Sequence, residues 1–473
     1  MLERTTVPVA IIGAGPVGLA AAAHLRERNI ASVILEAGER AGASLLEWGH
    51  VRVFSPWRYV IDEASARLLE RHGWSRPDPD GLPTGREIVD QYLSPLSNVP
   101  DLADSIVYDA DVAAISRSGL DKVTDRGRDA AAFEIRYVER GGAERTIVAG
   151  SVLDASGTWR QPSPLGVTGL PVLGEQAAAG AIAYGIPDVL GRDRDRYDGK
   201  RVLVVGGGHS AINVVLSLLE LRIASPTTSI IWGLRRKSID RLLGGGLNDQ
   251  LPARGDLGAA ARAAIESKKL RLVAPFSIDE IHSVNDALRL NARVDGSPEV
   301  LEVDSIVVAT GFRPDLNMLR ELRLDLDPAV EAPKALAPMI DPNLHSCGTV
   351  PPHGVVELSH PEKGFYVVGS KSYGRAPTFL MATGYEQVRS VAAELAGDHA
   401  AARQVHLVLP ETGVCSTSLP VNLGPSSSGC CGGPAPAEID ACCVADEVAK
   451  EAGKAGCGCG TSQKAHARTE PAE

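Results

Sequence analysis

The chain has 473 residues, more than one hydrophobic core normally holds, so two or three domains are expected. A 44% hydrophobic fraction is that of a globular protein, and a formal net charge of −11 excludes nucleic acid as an electrostatically held partner. Seven of the eight cysteines fall between Cys415 and Cys459, which excludes a disulfide framework spread through a core.

The first predicted elements lie in VPVAIIGAGPVGLAAAAHLRERNIASVILEAGER, residues 7–40. With Arg4 ahead of it the stretch has the outline of a signal peptide, but GAGP would break the supposed apolar core. VAII reads instead as a buried strand, LAAAAHLRER as a helix, and VILE as a second strand ending in Glu36. Gly13, Gly15 and Gly18 form G-x-G-x-x-G between strand and helix, with Pro16 opening the helix. The three glycines serve a tight turn, close backbone approach to a pyrophosphate, and close helix–strand packing. The helix N-terminus offers N–H donors to the phosphates. Glu36 stands 18 residues beyond Gly18, where an acid accepts hydrogen bonds from ribose hydroxyls.

SVLDASGTWRQPSP ends a strand at Gly157, and DSIVVATGFRPDL ends one at Gly311. Both read as chain crossings between two dinucleotide domains, with glycine allowing close approach to a cofactor. Between them lies a second start, KRVLVVGGGHSAINVVLSLLELRIASPTTSIIWGLRRKS. Gly206, Gly208 and Ala211 form G-x-G-x-x-A, with His209 and Ser210 at the head of the helix. The following strand ends in Arg235, Arg236 and Lys237 instead of an acid. Guanidinium groups there suit a 2′-phosphate, so the second nucleotide is expected to be NADPH; a solvated basic loop is the alternative. GGGLNDQLPARGDLG, Gly244–Gly258, reads as a glycine-rich loop, over the nicotinamide or on the surface. The last body segment, EKGFYVVGSKSYGRAPTFLMATGYEQVRSVAAEL, reads as strand, loop at Gly369, and closing helix at Glu386–Leu395. No further run approaches the ~20 apolar residues of a membrane span. No membrane partner is expected, and the protein reads as cytoplasmic.

Two dinucleotide motifs, the first closed by Glu and the second by Arg, joined by ATG-like crossings, resemble the two-dinucleotide-binding-domain flavoproteins. PTGREIVDQYL at Pro83–Leu93 and the basic strand end are similar to class B flavin monooxygenases. The body also resembles flavoproteins encoded with arsenic-resistance genes, in YGIPDVLGRDRDRY, HSCGTVPPHG and SKSYGRAPTFLMATGYEQVRS. The resemblance implies FAD at the first motif and NADPH at the second. It makes Gly13, Gly15, Gly18, Glu36, Gly157 and Gly369 FAD contacts, with the backbone of Val112 at the adenine. The family's F-x-G-x-x-x-H is reduced here to Tyr184 and Gly185 without a histidine. The usual acid after the last glycine is Ser370, and G-G-x-W becomes AGAS with Trp48 further on.

The expected fold is α/β with two Rossmann-like dinucleotide-binding domains. Residues 1–160 and 305–400 would form a discontinuous FAD-binding domain, and residues 161–304 the NADPH-binding domain. Residues 401–473, rich in Gly, Pro, Ala and Cys, would be a flexible tail with a short helix at Ala441–Ala452. Neither glycine motif has a C-x-x-C nearby, which argues against dithiol reduction in the body. The expected activity is an NADPH-dependent monooxygenase or oxidase, using O2 on a small-molecule or metalloid substrate such as a trivalent arsenical. No side chain is assigned as catalytic, because the hard chemistry belongs to the flavin. Cys347 reads as a small buried hydrophobe or as a substrate thiol. The pairs Cys430–Cys431, Cys442–Cys443 and Cys457–Cys459 suit a soft ion whose ligands fold around it: As(III), Cu(I), Hg(II) or Zn(II). An inert tail is the alternative for that segment. For the whole protein, the alternative is a flavoprotein scaffold whose tail binds or delivers a metalloid with little turnover.

Overall fold

The structure is a computed structural model and describes residues 7–237, 251–285, 287–344, 350–376 and 379–407. VAII forms the strand Val9–Ile12, with all four residues buried. Such a run, apolar on both faces, is the mark of a central parallel strand. It sits third in a five-stranded parallel sheet in the order Phe365–Val367, Ser151–Asp154, Val9–Ile12, Ser32–Leu35, Ile106–Val107. Leu35 is opposite Ile12, so Glu36 leaves the sheet level with the glycine turn.

The helix Pro16–Glu27 follows, with Pro at its first turn, where the missing N–H costs nothing. Ten of its residues are buried, because the sheet covers one side and the helix Met381–Leu395 the other. A Cβ on Gly384 would lie 2.5 Å from Val17 Cγ2, so glycine permits the close helix crossing. The antiparallel strands Ala110–Arg117, Phe133–Glu139 and Glu144–Ala149 pack Phe133 and Ile135 against Ile12, Leu35 and Phe365.

A second five-stranded parallel sheet runs in the order Arg271–Val273, Ser229–Gly233, Arg201–Val205, Ser305–Val308, Ile182–Tyr184. The helix His209–Ala224 covers it, and an antiparallel sheet of Phe276–Val284, Ala287–Val294 and Ser297–Val303 extends this half. Both halves are α/β units with the Rossmann-like order of strand, glycine turn and helix.

Three boundaries differ from the sequence reading. Ser305–Val308, expected with the first domain, pairs with Arg201–Val205 in the second sheet. All four residues are buried there, and the chain leaves only at Gly311. Part of the expected loop Gly244–Gly258 is helical: Pro252 starts the helix Pro252–Glu266, with Gly255 and Gly258 buried inside it. Residues 401–407, expected in the tail, belong to the body. Ala402 is buried, Ser390 Oγ donates to its carbonyl at 2.6 Å, and His406 N donates to Glu386 Oε1 at 3.2 Å. The helix expected at Ala441–Ala452 and all seven tail cysteines lie outside the described residues, as does Cys347.

Candidate functional site

A cavity of about 790 Å³ opens between the two halves. Gly13, Gly15 and Pro16 line it from the first motif, with Glu36, Val112, Gly157 and Gly369 around them. His209, Ser210 and Asn213 reach it from the second motif. Gly206, Gly208, Ala211 and Gly311 are not among the lining residues. Arg235 and Arg236 are exposed beyond the end of the strand Ser229–Gly233, which adjoins the strand carrying the second motif.

The glycines of the first turn differ in what constrains them. A Cβ on Gly18 would lie 1.9 Å from Gly13 O, and Gly13 itself has φ +99. These two make the turn. A Cβ on Gly15 would meet nothing within 4 Å, so that position faces open space. Gly15 is the N-cap of the helix Pro16–Glu27 and provides no side-chain cap. The helix therefore points unsatisfied N–H donors and the positive end of its dipole into the cavity. Glu36 closes the same corner: its Oε2 accepts from Ala14 N at 2.6 Å and its Oε1 from Gly38 N at 2.8 Å. This combination of open cradle, uncapped helix and oriented acid fits a dinucleotide. Gly208 repeats the arrangement for the helix His209–Ala224: no side-chain cap, and open space where a Cβ would be.

The two chain crossings lie side by side. Ser163 N donates to Gly311 O at 2.9 Å, Arg313 N to Gln161 O at 2.8 Å, and Thr310 Oγ1 to Ser163 O at 3.0 Å. Trp159 stacks on Phe312 with centroids 4.6 Å apart, and its Nε1 donates to Glu47 Oε2 at 2.7 Å. Tyr184 and Gly185 end the strand beside this pair; a Cβ on Gly185 would touch the Trp159 ring at 2.8 Å. Phe54 of the first half meets His209 of the second at 5.2 Å. An aromatic wall thus joins the halves at the cavity.

The Gly369 turn is held from behind. Gly369 N donates to Gln387 Oε1 at 2.7 Å, and Gln387 Nε2 donates to Ser372 Oγ at 2.9 Å. Gln387 Nε2 also donates to His353 Nε2 at 2.8 Å, leaving His353 Nδ1 to donate to Pro351 O at 3.0 Å. Burial holds His353 below the ordinary imidazole range, consistent with a neutral ring. His360 accepts from Asp325 N at 3.3 Å, and burial pushes it down to about 4. Of the histidines near Cys347 in the sequence, burial disfavours the charged form of His353 and His360, and His345 lies outside the described residues.

Sequence reasoning missed two features of the cavity. One is the aromatic wall, whose members come from four separate segments. The other is the set Asp154, Ser156 and Lys371 beneath the turns at Gly157 and Gly369, in which Asp154 and Lys371 are fully buried. A lysine in the apolar segment FYVVGSK was its only outward sign.

Among the described residues no group of three or more His, Cys, Asp or Glu is placed to hold a metal. Among them, too, no helix is long and apolar enough to cross a membrane.

Residues 7–350 match the pyridine nucleotide-disulphide oxidoreductase family. A ferredoxin–NADP reductase of Acidiphilium cryptum (strain JF-5) is 26% identical over 330 residues, covering 69% of this chain and 78% of its own. The bacillithiol disulfide reductase of Bacillus cereus shares the fold with a TM-score of 0.61 at 16% identity, over 83% of this chain and 99% of that one. The FAD-bound cadaverine monooxygenase of Erwinia amylovora does so with a TM-score of 0.58 at 11% identity, over 86% and 99%. The open glycine cradles, the two parallel sheets and the match over most of the chain agree: this protein belongs to the pyridine nucleotide-disulphide oxidoreductase family, whose cofactors are FAD and NAD(P)H.

Proposed function

We propose that the protein is an NADPH-dependent FAD monooxygenase or oxidase acting on a soft nucleophile. FAD lies along the first glycine turn, with its diphosphate on Gly13–Val17 and its ribose at Glu36. NADPH enters over Gly206–Ala211 with its 2′-phosphate toward Arg235 and Arg236. Bound there, the flavin supplies the hydride acceptor and the electron outlet to O2. The chain's own residues bind, orient and keep water out: two helix N-termini fix the phosphates, and Trp159, backed by Phe312, and Phe54 wall the cavity.

The observation that carries this reading is the cysteine distribution. Dithiol reduction needs a thiol pair beside the flavin, and Cys347 is the body's lone cysteine. Electrons arriving in the cavity need another outlet, and O2 is the one we propose. A second reading, transfer to a protein acceptor, is favoured by the 26% identical ferredoxin–NADP reductase.

For the substrate we propose a group with an accessible lone pair on sulfur, nitrogen or trivalent arsenic. The paired tail cysteines make an arsenical the first to try. Truncation before Cys415 is expected to leave flavin content and NADPH oxidation intact and to weaken arsenite binding in dialysis. Undiminished arsenite binding by the truncated chain would remove the tail as the site. NADPH specificity is tested by replacing Arg235 and Arg236 with Ala. A charge-assisted contact is worth about 1.5–3 kcal/mol, so kcat/KM for NADPH should fall about tenfold or more while that for NADH holds. Equal use of both nicotinamides by the unaltered protein contradicts the proposal.

A further inference from the structure

Lys371 is a lysine with 1% side-chain exposure, and its partner Asp154 has none. Its Nζ lies 2.6 Å from Asp154 Oδ2 and donates to Ser156 Oγ at 3.0 Å. Asp154 Oδ1 is occupied otherwise, accepting from Ser156 N at 3.1 Å and Ser156 Oγ at 2.6 Å. An ammonium carries three N–H donors, and among the described residues Lys371 Nζ makes one hydrogen bond, to Ser156, beside its ion pair with Asp154. Lys371 and Ser156 line the cavity, whereas Asp154 lies behind it. Of the two charged residues, only Lys371 belongs to the cavity lining.

Its location is fixed by neighbours. A Cβ on Gly13 would lie 2.9 Å from Ala155 O and 3.3 Å from Ser156 Cα, so Ser156 abuts the first glycine turn. A Cβ on Gly369 would lie 3.3 Å from Val17 Cβ, so the Lys371 loop abuts the first turn of the helix Pro16–Glu27. Ser156, which the ammonium contacts, and the Lys371 loop thus flank the first glycine turn and the uncapped helix start. Stapling the two strand ends does not need charge. A buried ion pair is often no more stable than well-packed apolar groups of the same volume. An anion in the cavity gives the charge a purpose.

We infer that Lys371, steered by Asp154 and Ser156, is a cationic binding residue for the diphosphate of FAD, adding to the helix N-terminus. The inference rests on the placement of FAD at the first glycine turn. The test uses deflavinated full-length protein titrated with FAD and with riboflavin, which has the ring but no phosphate. The double variant Lys371→Met with Asp154→Leu removes both charges, so no lone buried ion is left behind. Its ratio of riboflavin to FAD dissociation constants should fall about tenfold or more relative to the unaltered protein, through weaker FAD binding alone. An unchanged ratio, with both flavins weakened equally or neither, overturns the inference and makes the pair a staple. Should the double variant fail to fold, Ser156→Ala takes its place. The expected fall in the ratio is then about three- to tenfold, and no change again overturns the inference. If the unaltered apoprotein takes up no FAD, the placement of FAD itself fails, and the inference with it.

Discussion

Single glycines in this fold divide into those that shape the backbone and those that leave room for a ligand. Gly18 belongs to the first kind, with Gly13 O at 1.9 Å from where its Cβ would be; Gly15 belongs to the second. Gly18→Ala should lower thermal stability, on the order of 1–3 kcal/mol, by forcing the turn open. Gly15→Val should melt like the unaltered protein and retain no FAD. A Gly15→Val variant that is yellow after purification contradicts the seat described for the diphosphate. A second residue-scale effect is set by protons. The folded pKa of His360 is about 4, against an ordinary imidazole value of 6.5. The unfolded chain then binds more protons between those values, so stability is full above about pH 6.5 and falls as pH drops toward 4. His360→Asn should flatten this loss, measured as melting temperature from pH 7.5 to 4.5; an unchanged slope would assign the acid sensitivity to other groups.

Elements whose apolar runs are continuous were legible in the sequence. VAII, SIIWG and FYV form strands where the residues place them, because a parallel strand buried on both faces leaves no alternation to misread. Elements broken by glycine were not. The sequence starts the closing helix at Glu386, but it begins at Met381, since Gly384 reads as a breaker in sequence and acts as a close-packing point against Val17. Gly255 and Gly258 hide the helix Pro252–Glu266 in the same way. Long-range ion pairs left no local sign at all. Glu362 Oε1 accepts from Arg117 Nε at 2.7 Å, and its Oε2 accepts from Arg128 at 2.6 Å and from Arg323 N at 2.9 Å, all at a buried carboxylate. Burial alone would raise the Glu362 carboxyl, but the two guanidiniums hold it below the ordinary range. The set ties the antiparallel sheet to the segment entering Phe365–Val367. Glu362→Ala strands two buried cations and should cost about 3–5 kcal/mol in urea unfolding. A cost below about 1 kcal/mol would mean that the cations relax to solvent.

At the scale of the molecule, two dinucleotide folds share one cavity, and that arrangement follows from the two adjacent crossings at Gln161–Pro164 and Thr310–Arg313. The glycine motifs were legible as strand–turn–helix units, but Trp159, Phe54 and Lys371, which line the cavity between them, are scattered in sequence and meet only on folding. The two motifs meeting at one cavity fit an FAD- and NAD(P)H-dependent oxidoreductase, and hydride transfer into the flavin is the step proposed for it. The lone body cysteine is the observation behind the proposed onward route to O2. The most direct measurement is stopped-flow absorbance at the flavin band. Anaerobic NADPH should bleach the yellow protein, and mixing with air-saturated buffer should restore the colour within seconds. A flavin that NADPH bleaches but that stays reduced for minutes in air would contradict the account and point to a protein acceptor instead.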